Sequence, residues 1–295
     1  MTWVNVVVQG VLLGGFYVLL ACGLSIMFGV MRIINLAHGD LAVLGAYLVW
    51  LLLAHLAVPP YAALVVVVPA MLAVGFVLQI GVLNRSLRSG MLTPLLSTFG
   101  LSVVIQNLLL IAFSPDVRSL GGSAGALTTA SLRLSDELSV PALGLVILAT
   151  ALLIVGGLQL YLDRTRGGAA WRAASQDPEV AGLVGIDART VYATATAVAV
   201  AIAAVGGVFL GIRSTFDPVS GPTQLIFAFE AVVIGGLGSL RGTLVGGVVL
   251  GVAQAAGAAI NPQYAVLAGH LVFLAALVLR GSGARLLPVP RRVAA

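Results

Sequence analysis

The sequence predicts an all-α polytopic membrane protein of about nine transmembrane spans, and three observations carry that prediction. Hydrophobic residues fill 60% of the 295 positions and charged residues only 8%, with a mean hydropathy of +1.13. A soluble domain of this length could not cover so much apolar surface. The charges are also bunched: residues 163–189, DRTRGGAAWRAASQDPEVAGLVGIDAR, hold eight of the 25 charged residues, between uncharged stretches long enough to cross a bilayer. Finally, all 15 basic residues are arginine, and they fall in short polar segments between the apolar ones, as membrane topology demands.

Residues 4–29 carry no charge and predict span one, with Gly10, Gly14, Gly15, Gly23 and Gly29 as small surfaces for close helix contact. The opening MTWVN lacks the basic stretch of a cleaved signal, so this span is expected to be retained. A polar insertion from Arg32 to Asp40 follows. The uncharged run 41–83 is too long for one crossing; Pro59 and Pro60 divide it into spans two and three, and Arg85 and Arg88 close the latter. Span four is expected over 93–113. Residues 114–139 place Asp116, Arg118, Arg133, Asp136 and Glu137 among glycines and serines and read as an aqueous loop. Spans five (141–162) and six (191–212) flank the polar stretch. Segment 223–240 is apolar but interrupted by Glu230 and by Gly235, Gly236 and Gly238. Beyond Arg241, 38 uncharged residues would measure about 57 Å as helix, nearly twice a hydrocarbon core, and Asn261-Pro262 divides them into spans eight and nine.

Counting arginines decides how 223–240 is read. If it crosses and the N-terminus is outside, 12 arginines face the cytoplasm and 3 face out; if it only dips, the split is 7 against 8. The positive-inside rule therefore favours crossing, with a cytoplasmic C-terminus, and allows a break near Gly235. No internal repeat or linker divides the chain, so 1–295 is expected to be one transmembrane domain.

Within 163–189, Asp177 suits an N-cap, Pro178 the first helical position and Gly185 a left-handed residue at the end. Val180, Leu183 and Val184 then share one face, and Arg172 and Glu179 can orient the helix by charge. Such a short helix either docks on another protein or lies on lipid, and the pattern leaves both open. Glu230 is an acid inside a predicted span, which needs a partner or a water-filled cavity. Asn35, His38 and Asp40 gather at the start of span two, as pathway candidates or, for Asn35 and Asp40, as helix caps. Gly238, Gly242 and Gly246 recur at four-residue spacing, which on a helix lets a neighbouring backbone come close.

Other chemistry finds no support. His55 and His270 look isolated, no His, Cys, Asp or Glu set has metal-ligand spacing, and no nucleophile is placed beside a base, so neither a metal, another cofactor nor an enzymatic activity is expected of this chain. Cys22 reads as a buried structural thiol. The net charge of +5 follows from topology and calls for no nucleic acid.

The stretch GLSIMFGVMRIINLAHGDLAVLGAYL, residues 23–48, resembles the first signature of the permease subunits of high-affinity branched-chain amino acid ABC transporters, with the core Asn35, Ala37, His38, Gly39 and Asp40. RTRGGAAWRAASQDPEVAGLVGID, residues 164–187, resembles the family's cytoplasmic coupling loop, with Glu179, Ala181 and Gly185 on its pattern. EAVVIGGLGSLRGTLVGGVVLG, residues 230–251, resembles its glycine-rich block; Gly167 departs from the family in place of a bulkier residue. The resemblance implies a multi-pass permease of the inner (plasma) membrane of a bacterium or archaeon. It implies a second permease subunit, two ATP-binding subunits that use the ATP, and an extracytoplasmic substrate-binding protein. Branched-chain amino acids are the implied substrates. Urea or short-amide importers, which use close relatives, and an ion-coupled secondary transporter are the alternatives.

Overall fold

Apolar stretches bounded by arginine, proline and glycine fold as helices throughout the computed structural model, which describes residues 3–56, 58–87, 90, 92–135 and 138–281. Arg88, Asp136, Glu137, Arg285, Arg291 and Arg292, used in the sequence reading, lie outside the described residues. The helices are α1 (Trp3–Met31), α2 (His38–Leu56), α3 (Pro60–Leu78), α4 (Asn84–Ser86), α5 (Leu92–Phe113), α6 (Ala142–Arg164), α7 (Arg166–Gln176), α8 (Pro178–Leu183), α9 (Ala188–Arg213), α10 (Gly221–Gly235), α11 (Leu240–Ile260) and α12 (Tyr264–Gly281). A π-helical stretch, Gln79–Leu83, joins α3 to α4, so that Pro60–Ser86 is one rod of 27 residues. Among the described residues seven helical rods are long and apolar enough to cross a membrane. The segment after α5 is not wholly irregular: β1 (Ser131–Ser135) and β2 (Leu138–Pro141) pair antiparallel there, because alternating apolar and polar residues suit a hairpin.

Helices α1 and α9 form the centre. From Phe16 to Met27 every residue of α1 is buried, and α9 is buried along most of its length by alanine and glycine, which allow close approach on several faces at once. Helix α11 lies antiparallel on α1 through facing glycines: a Cβ on Gly14 would sit 2.6 Å from the Val248 Cα, and one on Gly251 2.4 Å from the Gly10 oxygen. On another face of α11, Gly242 and Gly246 meet α10, where their Cβ atoms would come within 2.1 Å of the Gly235 and Ala231 oxygens. Four-residue spacing thus serves packing at Gly242 and Gly246. It does not at Gly238, which lies in the α10–α11 turn with φ +77 and approaches Gly29 of α1.

Segment 223–240 takes the break that the sequence allows near Gly235, and the chain after α1 turns inward. Segment 223–240 is not one helix: α10 ends at Gly235, and Gly236 takes φ +105, a conformation that breaks the helix at no cost only in glycine. At 15 residues, α10 spans about 22 Å, less than a hydrocarbon core. The chain after α1 also does not lie at the bundle surface. It leaves α1 through Arg32, in the left-handed region at φ 56, and doubles back, so that His38 begins α2 beside Leu20 of α1, three turns or about 16 Å before the end of that helix.

Candidate transport and coupling sites

At the bundle end carrying residues 164–188, the polar stretch is more ordered than its composition suggests. Thr165 caps α7 by accepting from the Gly168 N–H at 3.0 Å. Trp171 anchors α7: its ring packs edge-on to Tyr161 and its Nε1–H donates to Thr194 Oγ1 of α9 at 3.1 Å. The sequence reading missed α7 because its apolar residues are mostly alanines, and their helical preference says little about burial.

Helix α8 is closed at both ends. The Asp177 carboxylate accepts from the N–H groups of Glu179 and Val180, at 2.9 and 3.0 Å. At the other end the Ile186 N–H returns to the Ala181 oxygen and the Gly185 N–H to the Gly182 oxygen, with Gly185 left-handed at φ +81. Ala181 faces inward and is buried, whereas Val180, Leu183 and Val184 are 56%, 87% and 74% exposed. The helix therefore offers its apolar face outward. Arg172 lines a cavity between α7 and the bundle. Asp187 caps α9, and its carboxyl is held below the usual range by hydrogen bonds from the Thr190 hydroxyl and the Arg189 N–H.

Inside the bundle, two of the buried polar clusters hold the acids that the sequence singles out. In the first, Asp40 is fully buried in the first turn of α2 and joins α2 to α5, accepting from Ser102 Oγ at 2.5 Å and Gln106 Nε2 at 3.0 Å. Gly221, the first residue of α10, is pressed against it, where any side chain would collide with the carboxylate. Asn35 accepts from the Ala37 N–H at 3.0 Å, closing the turn that leads into α2. His38 Nε2 donates to the Leu20 oxygen at 2.9 Å, because a carbonyl can only accept. The first turns of α2 and α10 thus meet among buried polar groups within the bundle.

In the second cluster, Glu230 Oε1 pairs with His270 Nδ1, correcting the expectation that His270 stands alone. Glu230 is 2% exposed while the His270 side chain is 41% exposed, so the pair joins the interior to the outer face of α12. Phe227 stacks on His270 and also packs against Tyr17, whose hydroxyl bonds Gln254. Four helices, α1, α10, α11 and α12, contribute. Sequence reasoning found Glu230 because an acid in a span demands a partner; Tyr17, Gln254, Ser102, Gln106 and His270 gave no signal, since their partners lie on other helices. Among the described residues no set of three or more His, Cys, Asp or Glu could hold a metal ion.

A family model described as branched-chain amino acid transport system, permease component, matches residues 6–279, nearly the whole chain. The chain belongs to this permease family. Relatives are similar over three quarters or more of their lengths. The high-affinity branched-chain amino acid transport system permease protein BraD of Pseudomonas aeruginosa is 29% identical over 290 residues, covering 94% of this chain and 93% of the relative. The corresponding LivH protein of Salmonella typhimurium is 29% identical over 286 residues, covering 93% and 92%. A probable LivH permease of Methanocaldococcus jannaschii is 27% identical over 241 residues, covering 80% and 75%. No solved structure matches the chain at the same level of significance. Membership fits the geometry: a permease has to be a multi-pass membrane protein, and seven helical rods among the described residues are long and apolar enough to cross a membrane.

Proposed function

We propose that this chain is the membrane-spanning subunit of an ATP-driven importer of branched-chain amino acids, embedded in the cell's inner (plasma) membrane. The observation that carries the reading is the outward apolar face of α8 on a chain of this permease family. A helix rigidly capped at both ends, with Leu183 in water, is suited to fill a pocket on a separate ATP-binding subunit. Closure of two such subunits on ATP would push α8. Ala181 and the Trp171 anchor of α7 would pass that displacement to α9 and α1 as a rigid unit. ATP is bound and hydrolysed by the partners, and this chain holds no cofactor. A second permease subunit completes the pathway and an extracytoplasmic binding protein delivers the amino acid.

In this reading the N-terminus and the β1–β2 hairpin face outside and α7 and α8 face the cytoplasm, on the arginine distribution. The chain then crosses nine times, α10 and the turn that follows it at Gly236 together making one broken crossing. Asn35, His38, Asp40 and Glu230 are the pathway candidates on this chain, and Arg172, Asp177, Glu179, Ala181, Leu183 and Gly185 belong to the coupling element. A zwitterionic substrate needs a counter-charge for its ammonium, which Asp40 or Glu230 supplies, and donors for its carboxylate, which the first turns of α2 and α10 supply. Uptake of labelled leucine against labelled urea, in cells carrying the complete transporter, tests the reading. Leucine uptake lost on deleting this chain supports it; urea uptake lost with leucine unchanged overturns it.

A further inference from the structure

We propose that the cavity between α1, α6, α7 and the α10–α11 turn binds the phosphate head of an anionic phospholipid. It is lined by Ser25 and Ile26 of α1, Leu158 and Leu162 of α6, and Trp171 and Arg172 of α7. Two of these side chains present buried polar atoms with no protein partner, Ser25 Oγ and Arg172 Nη1. Ser25 is only 1% exposed, and a guanidinium can only donate. A buried N–H on a permanent cation is costly unless an acceptor reaches it, and an anionic acceptor suits it best. Two acids near this end of the chain are engaged elsewhere: Asp163 approaches Arg241 at 3.9 Å, and Asp177 caps α8.

The shape selects the class of anion. Ser25 and Leu158 each lie six residues before the end of their helix, about 9 Å into the bundle. The cavity therefore sets the Arg172 guanidinium and the Ser25 hydroxyl beside Ile26, Val30, Leu158 and Leu162, which suits a phosphate joined to hydrocarbon. A free phosphate would leave the aliphatic wall uncovered. Arg164, Arg166 and Arg241 stand exposed around this end of the bundle and attract an anionic membrane surface. Trp171, fixed to Thr194 and Tyr161, holds α7 so that Arg172 stays over the cavity. A lipid seated there would bridge α7 to α1 and stiffen the platform that carries α8.

The test measures lipid retained by the protein purified from its membrane and returned to bilayers of phosphatidylcholine with or without phosphatidylglycerol. The native chain should keep phosphatidylglycerol through a detergent wash that strips phosphatidylcholine. Arg172→Ala should weaken retention roughly tenfold or more, as expected for a lost charge-assisted hydrogen bond, with Arg172→Lys retaining most of it and Ser25→Ala an intermediate amount. Ser25→Ala removes a single atom and keeps the test open if Arg172→Ala fails to fold. Equal retention by the native chain and both alanine variants overturns the proposal. So does displacement by inorganic phosphate alone, which would mark a free-anion site, or protection of the cavity only when ATP-binding subunits are present, which would mark a partner's carboxylate.

Discussion

Truncating Leu183 to alanine should uncouple this chain from its ATP-binding partner without harming its fold. The side chain is 87% exposed, so its removal leaves no cavity, and stability should change by no more than about 0.5 kcal/mol. If the partner buries it, the same truncation removes roughly 1–3 kcal/mol of binding, a loss of about 5- to 150-fold in affinity. Gly185→Val supplies the matching backbone perturbation. At φ +81 a β-branched residue costs about 1–3 kcal/mol and pulls the Ile186 and Gly185 N–H groups away from Ala181 and Gly182, so α8 loosens while the membrane bundle stays intact. The assay pairs co-purification of the ATP-binding subunits with ATP hydrolysis stimulated by loaded binding protein, in lipid. Both variants should insert normally and lose both signals. Full association and stimulation in both would show that α8 rests on lipid and that the coupling role is wrong.

Glu230→Gln keeps a hydrogen-bonding shape toward His270 but removes the charge; assembly should be normal and leucine uptake clearly reduced, and uptake at the parental rate would remove Glu230 from the pathway. Gly246→Val should drive α10 from α11, since its Cβ would lie 2.1 Å from the Ala231 oxygen; destabilisation of about 1–3 kcal/mol or more is expected in thermal melts, with Gly100→Ala, which meets nothing within 4 Å, as the neutral control. In a chain whose buried Cys22 is replaced by serine, cysteines at exposed Ser123 and Val184 should label with an impermeant thiol reagent from outside and inside respectively; the reverse pattern would invert the topology.

Much of this protein was written in short-range chemistry that a sequence displays. Uncharged runs fixed where most long helices lie, because a bilayer tolerates few charges and requires every backbone group to be bonded within its helix. Asp177, Pro178 and Gly185 specified both ends of α8, because capping bonds reach only two to five residues along the chain. Glu230 announced that it needed a partner. What the sequence could not carry was anything decided between helices. His270 answers Glu230 from 40 residues away, and Ser102 and Gln106 clamp Asp40 from more than 60, with no periodicity to link them. The polar insertion from Arg32 to Asp40 declared its polarity but not its depth, because composition records only the first; packing against α1 folds it back and starts α2 beside Leu20. Gly238 shared a spacing with Gly242 and Gly246, but a left-handed turn before α11 took it off the helix, and that turn is chosen where α10 and α11 close on one another through their glycines.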